Sequence, residues 1–504
     1  MKVIAPNTIG RRILPLPRLV VVLLFASAVP AVLRSAGAAP EADRAAALQA
    51  VTPRINLPPE ADDPERPRNL RLLKPSVWTD GAGVDDNGNI FNQYRRSSFG
   101  TWSNYDETKA NPYPLPDPLV SKNGQPVTDA DTWWRHRRTE ILEEFLGEVY
   151  GRIPENTPKV TWEVTAKNES DGTRTKTIVG HIDNSACPDA TPAINLVLTL
   201  PANASGPVPV IVVVSSGSTG APRRDGASGT GAAAQTRANS GRPANGPAGS
   251  SAGPNPMQQV LARGWGYATF DTGSVQPDSA AGLTRGIIGL LNKGRPRSGP
   301  DEWGALSAWS WGLSRAVDYL ETDRDVDAKR LGVEGHSRWG KTALWAAALD
   351  ARWAIVYSSC SGEGGAKLSR RNFGETTDNI ANSHWMAGNF RKYGGHWNDL
   401  PVDAHELIGL VAPRPVFVTG ATQDPWADPR GEFLAMVAAG PVYRLLGKKD
   451  LGTAAMPAPD VALTSGELAF REHVGPHTDV PDWPVFLDFA AKYLKAPESK
   501  GPGN

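Results

Sequence analysis

The stretch Leu331-Gly-Val-Glu-Gly-His-Ser-Arg-Trp-Gly-Lys341 decides the fold. A short apolar strand over 331–334 runs into Gly335-His336-Ser337, and a helix-forming segment, KTALWAAAL, follows at once. A serine on so sharp a strand-to-helix turn has its hydroxyl pushed clear of the sheet. The next backbone N–H groups and the positive helix end are then directed at a developing oxyanion. Neighbouring positions must be small because side chains collide inside the turn. Gly335 fills the first glycine of G-x-S-x-G, whereas Trp339 stands at the second and the glycine comes one residue later, at Gly340. The competing reading of Ser337 is a plain N-cap on an ordinary strand-to-helix turn.

Working outward, the run VPVIVVV over 208–214 has the continuous apolar character of a strand covered on both faces. Residues 266–271, 354–358 and 415–419 are shorter runs of the same kind. Between them, Leu306, Trp309, Leu313, Val317 and Leu320 fall at three- and four-residue spacing and predict a helix over 305–321. Strand, helix, strand at this rhythm implies right-handed crossovers and a mostly parallel central sheet with helices on both faces, an α/β architecture. Upstream, Trp133, Ile141, Leu142, Phe145 and Val149 mark a helix that opens near Asp129, and 159–166, 175–182 and 193–200 alternate like strands. Residues 126–496 therefore form the catalytic domain, preceded by a Pro/Asn/Asp-rich extension over 39–125 that is partly irregular and wrapped on the surface. The Gly/Ala/Ser-rich stretch 215–256 reads as a mobile loop, and 497–504 as a tail.

The chain has 504 residues, 40% hydrophobic and 21% charged, the balance of an ordinary globular protein. Its two cysteines, Cys187 and Cys360, exclude a disulfide-built scaffold and show no metal-ligand spacing. Basic Lys2, Arg11, Arg12 and Arg18, an apolar run over 19–29 and small Ala36-Gly37-Ala38 read as a signal peptide over 1–38, with an uncleaved anchor as the alternative. The expected destination is the periplasm or the medium. The formal net charge is zero, and the leader carries basic but no acidic groups, so its removal leaves a mildly acidic chain with no electrostatic footprint for nucleic acid. No apolar stretch elsewhere is long enough for a membrane span. A monomer without membrane contact after processing is expected.

Ser337 needs a base and an acid. His477 lies in Glu472-His-Val-Gly-Pro-His477, on a loop between the last strand-like run and a terminal helix near Asp482; His473 is the rival, four residues earlier at the strand end. Gly475 and Pro476 put His477 on the loop itself. Asp424, in Gly420-Ala-Thr-Gln-Asp424-Pro-Trp426-Ala-Asp428, stands at the mouth of the 415–419 strand, while Asp428 is placed to cap a helix beginning near Pro429. Serine, acid, histidine is the chain order of α/β-hydrolases. His136 and His181 read as solvated or structural, and His384, His396 and His405 as structural or lining the site.

GHSRWGK over 335–341, DPWADPRGEF over 424–433 and GPH followed by DW over 475–483 closely resemble the bacterial glucuronoyl esterases, carbohydrate esterase family 15, with the likeness running through 133–494. The resemblance implies an α/β-hydrolase fold and a serine esterase acting on esters of glucuronic or 4-O-methylglucuronic acid, such as lignin–xylan cross-links, through a glucuronoyl-enzyme. No cofactor or metal is implied. It accounts for Trp339 in the elbow, and it makes Ser337 the nucleophile and Arg338 the oxyanion donor through side chain and backbone. Lys341, Glu375, Trp385 and Trp426 become substrate-binding residues; by themselves the charges would read as surface groups and the tryptophans as core. One departure stands out. The family often places its acid 23 residues after the serine, where this chain has Cys360. Asp424 is then the acid, as in some bacterial relatives, with Glu363 as rival. Other readings are a xylan acetyl esterase or other carboxylesterase, and a non-catalytic carbohydrate-binding protein, suggested by Cys360 and sixteen tryptophans.

Overall fold

The computed structural model describes residues 102–110, 114–217 and 255–494, together with the backbone of short strands between 75 and 96. The expected signal peptide over 1–38, the expected tail over 497–504 and most of the 215–256 stretch lie outside the described residues.

Nine strands form one sheet: β1 (Val160–Ser170), β2 (Thr173–Ile182), β3 (Ala193–Pro201), β4 (Val208–Ser215), β5 (Gly266–Asp271), β6 (Val326–His336), β7 (Trp353–Ser359), β8 (Val416–Ala421) and β9 (Leu468–His473). Their spatial order is β9-β8-β7-β6-β4-β5-β3-β2-β1. From β5 to β9 all pairings are parallel, and β3, β2 and β1 add antiparallel neighbours at the far edge. Each expected strand is present, most with ends shifted by a residue or two, and β1 runs four residues past its expected end. The largest shift is in β6, which begins five residues before the expected 331 because Val326 also pairs with Val208.

Five helices matter here: α1 (Ala305–Leu320), α2 (Arg338–Leu349), α3 (Ala404–Val411), α4 (Pro429–Leu445) and α5 (Trp483–Ala490). Alternation along β4 explains how they divide. Val210, Val212 and Val214 belong to the core that holds Leu306, Leu313, Leu344, Leu407 and Phe433. Ile211, with Ile355, Tyr357 and Phe417, belongs to a second core with Trp483, Phe486 and Leu487. Successive side chains on a strand point to opposite faces, so α1 to α4 cover one face and α5, with the short helix Pro256–Ala262, covers the other. Both faces are dry, which is why the central strands read as unbroken apolar runs.

The N-terminal extension differs from expectation. Pro75–Thr79, Ala82–Asp85 and Ile90–Phe91 pair as a small antiparallel sheet, and Arg95–Arg96 pairs with Trp102–Ser103; strands of two to five residues are too short to show a period. From Ser103 the chain is anchored at Ser103, Asn104, Ala110, Leu119 and Val127, which are buried, while most described residues between them are half-buried or exposed. Asn104 Nδ2 donates to the Asn372 carbonyl at 2.8 Å and its own carbonyl accepts from Gly374 N–H at 2.8 Å. Glu107 meets both Arg371 and Arg430. Helical backbone then runs over 130–149, capped by the Asp129 side chain on Thr132 N–H. Among the described residues no helix is long and apolar enough to cross a membrane.

Candidate active site

At the end of β6 the chain turns into α2 through Ser337, whose φ of 60° and ψ of −128° are sparsely populated for a residue with a Cβ. Such a conformation costs on the order of 1–3 kcal/mol and persists only where its surroundings enforce it. Two glycines do so. A Cβ on Gly335 would sit 2.1 Å from the Trp339 carbonyl oxygen, and one on Gly340 would sit 2.9 Å from the Gly335 carbonyl oxygen. The second glycine therefore performs its steric task at Gly340, so Trp339 does not damage the turn. Ser337 N–H donates to the Ser359 carbonyl at 2.8 Å, while the Ser337 carbonyl accepts from Gly340 and Lys341 N–H. Its side chain makes no capping hydrogen bond, against the plain N-cap reading. Arg338, first residue of α2, has no intrahelical acceptor for its N–H.

The loops after β8 and β9 dock on one another: Thr422 N–H donates to the His473 carbonyl and Gln423 N–H to the Gly475 carbonyl. Their pairing brings His477 Nδ1 to 2.5 Å from Asp424 Oδ2. Asp424 is buried, whereas the His477 side chain is 39% exposed, so the imidazole spans from interior to rim. The ring of His336, immediately before Ser337, lies 4.2 Å from the His477 ring, centroid to centroid. Burial, reinforced by His477, pushes His336 down to about 3, which keeps it a neutral wall against the second imidazole.

The other candidates are engaged elsewhere. Glu363 is fully buried, accepts from Ser369 Oγ at 2.6 Å and pairs with Lys367 at 3.4 Å; burial pushes its carboxyl up to about 7. His473 is inside the protein with both ring nitrogens engaged. Asp428 caps α4 through Gly431 N–H and pairs with Arg371. Cys360, with φ of 45°, sits just past β7 so that its Sγ, an Asp424 oxygen and a His477 nitrogen lie within 4.8 Å of one another. Positions 360 and 424 thus approach the same imidazole, which is why either could carry the acid. Burial, then Glu432 and Asp424, pushes the Cys360 thiol far up. Cys187 and Cys360 are both free.

Arg338 is fixed by a residue that sequence reasoning missed. Asp278, on the loop after β5, takes Arg338 Nη1 at 2.6 Å on one oxygen, and His384 Nε2 at 2.7 Å and Trp385 Nε1 at 2.8 Å on the other. Burial opposes charge on Asp278, but these three donors outweigh it and hold the carboxyl well below the usual range. The guanidinium lies 5.5 Å from the Trp339 ring and 5.4 Å from the Trp385 ring. Its Nε–H is buried without a hydrogen-bond partner, while the side chain as a whole stays 39% exposed. The signal for Asp278 was position alone: it follows a strand on the sheet's C-terminal rim, where sites of such folds collect.

Lys341 and Glu375 are not surface charges. Lys341 Nζ donates to the Ser361 and Glu363 carbonyls, each at 2.6 Å, and to Glu375 Oε2 at 2.7 Å, with both side chains about 95% buried. All three ammonium protons are engaged, so the pair holds the 361–375 segment. Glu432 holds the same segment from below, accepting from Ser361 and Gly362 N–H. Trp426 is half-buried, and its carbonyl accepts from Glu375 N–H at 2.7 Å. Of the other histidines, His384 lines the site through Asp278 and His405 is buried against the Pro116 carbonyl. His136, His181 and His396 are exposed.

A mostly parallel sheet with a serine elbow after β6, a carboxylate after β8 and a histidine after β9 defines an α/β-hydrolase. Residues 294–447 match the family model described as glucuronyl esterase, fungi. The chain is 38% identical over 403 residues to carbohydrate esterase MZ0003 from an unknown prokaryotic organism, covering 78% of this chain and 92% of that protein. Among solved structures, a carbohydrate esterase family 15 glucuronoyl esterase from Teredinibacter turnerae T7901 superposes with a TM-score of 0.68 at 36% identity, covering 84% of this chain and 97% of the other. The glucuronoyl esterase from Solibacter usitatus gives 0.67 at 40% identity, covering 77% and 100%. The chain belongs to carbohydrate esterase family 15, the glucuronoyl esterases.

Proposed function

We propose that this protein is a serine esterase that hydrolyses esters of glucuronic or 4-O-methylglucuronic acid through a glucuronoyl-enzyme on Ser337. The observation that carries the reading is the Asp424–His477 pair at 2.5 Å on the rim that also presents the Ser337 elbow. With Nδ1–H donated to Asp424, the other ring nitrogen of His477 is free to take the Ser337 proton as the hydroxyl attacks the C6 carbonyl. The negative oxygen that forms is met by the Arg338 N–H at the helix start and by the exposed part of its guanidinium, which Asp278 locks. The protonated His477 then gives its proton to the departing alcohol. Water, activated by the same imidazole, releases the acid and regenerates Ser337.

Lys341 and Glu375 act on the sugar as a unit, with Lys341 locking Glu375 Oε2 and leaving Oε1 to accept from a hydroxyl. Trp426 and Trp385 border the ring. The basic and apolar leader implies export, and a monomer acting on xylan–lignin esters fits an exported chain.

Turnover of benzyl glucuronate against an aryl acetate by one preparation tests the substrate. Clear preference for the glucuronate is expected, and preference for acetate would make the protein an acetyl esterase instead. Ser337→Ala should abolish turnover while leaving the thermal transition in place.

A further inference from the structure

We infer that His473 is an obligate imidazolium that serves as the positioning residue for His477, pinning the base-bearing loop through the Pro476 carbonyl. The inference rests on the reading of His477 as the base, and it follows from counting donors. His473 Nδ1 is 2.8 Å from Asp482 Oδ2, and Nε2 is 3.0 Å from the Pro476 carbonyl oxygen. A carbonyl only accepts. Asp482 is also bound through its other oxygen by Arg471, so it is an ionised acceptor. Both ring nitrogens of His473 must therefore donate, which only the doubly protonated ring can do.

The surroundings accommodate that charge. Neither His473 nor Asp482 has an exposed side-chain surface. Arg471 on the same strand completes the cluster and reaches out to Asp460 at 2.6 Å, so two cations face two anions. Glu472 is adjacent on β9, and His336 is near enough to feel the His473 charge. Burial alone would lower the His473 pKa; the Asp482 hydrogen bond and charge, with the Pro476 carbonyl, overcome it and raise the value. Loss of the proton leaves the remaining N–H with the anionic Asp482, because that bond is stronger than one to a neutral carbonyl. Nε2 then turns a lone pair on the Pro476 oxygen, and the residue before His477 is pushed away instead of held.

Two variants separate the two bonds. In His473→Asn the amide can reach Asp482 but not Pro476; in His473→Gln it can reach Pro476. His473→Asn should lower kcat about 10- to 100-fold with KM changed less than about twofold, the scale expected for a small misplacement of a reacting group. The wild-type kcat should fall at alkaline pH as His473 deprotonates; His473→Gln should stay within about threefold of the wild type and lack that fall. Ring-nitrogen NMR of histidine-labelled wild-type protein should find one buried imidazole protonated on both nitrogens at neutral pH. Absence of any buried ring protonated on both nitrogens would overturn the inference, as would equal kcat in the two variants or an alkaline limb that survives in His473→Gln. The NMR measurement needs no turnover, so its failure is distinct from failure of the esterase reading, which Ser337→Ala reports.

Discussion

Replacing Asp424 by asparagine should cost about 10⁴ in kcat, the scale seen when a triad carboxylate becomes an amide. The structure indicates why the loss is so large. Asp424 Oδ1 accepts from Ala427 N–H at 3.4 Å, while Oδ2 faces His477 Nδ1 at 2.5 Å. An amide inserted there keeps its carbonyl toward Ala427 and turns its N–H₂ toward His477. The imidazole must then accept at Nδ1 and carry its proton on the other nitrogen, where it has nothing to take the Ser337 proton with. A hydrogen bond to a charged partner is itself worth about 1.5–3 kcal/mol, and a 10⁴ loss corresponds to about 5.4 kcal/mol of barrier. Tautomer inversion supplies the remainder. Asp424 is buried, so water cannot replace the missing acceptor. The assay is initial-rate hydrolysis of benzyl glucuronate by D424N and by Glu363→Gln, each checked for folding by circular dichroism. Glu363 meets Ser369 and Lys367, so E363Q should keep kcat within about tenfold, an electrostatic effect at most. A D424N enzyme that keeps a tenth of its activity, or an E363Q enzyme that loses more than D424N, would refute the assignment.

Three further outcomes follow from the same geometry. Asp278→Ala frees the Arg338 guanidinium and should lower kcat about 10- to 100-fold, since a donor to the oxyanion loses its fixed direction; steady-state kinetics with unchanged kcat would show that Arg338 needs no anchor. Lys341→Met strips Glu375 of its cation in the interior and should destabilise the fold by about 3–5 kcal/mol; a urea midpoint equal to the wild type would contradict the buried-pair account. His336 is depressed from the ordinary histidine value of 6.5 to about 3 in the folded state, so the unfolded chain takes up a proton first as pH falls. Its contribution to stability is therefore present above pH 6.5 and drains away between about pH 6.5 and 3, at up to about 1.4 kcal/mol per pH unit. Urea unfolding across that window should show a shallower acid slope in His336→Gln than in the wild type, and an identical slope would remove His336 from the account.

The central strands and the long helix α1 were legible because their signals are local: an apolar run for a strand covered on both faces, a three-and-four spacing for a helix packed on one. The elbow was legible for a related reason, since a strand, Gly335, Ser337 and a helix former must be consecutive to make that turn. Chain order then supplied Asp424 and His477 as candidates, and resemblance supplied the sugar-binding set. The short strands of the extension gave no signal because they are too short to repeat, and the burial of Ser103 and Asn104 depends on Asn372 and Gly374, far along the chain.

What the amino-acid order determined by itself was thus the kind of sheet, the serine at its turn and a short roster of partners. Tertiary structure alone decided which of them meet. His477 finds Asp424 across 53 positions, and Arg338 finds Asp278 across 60. Those meetings depend on the parallel register of β8 with β9 and on the order of strands between β5 and β6. Register is a property of packed faces rather than of any one segment, so a carboxylate such as Glu363, near in sequence, is directed into the interior, while Asp278, remote and unremarked, holds the guanidinium in place.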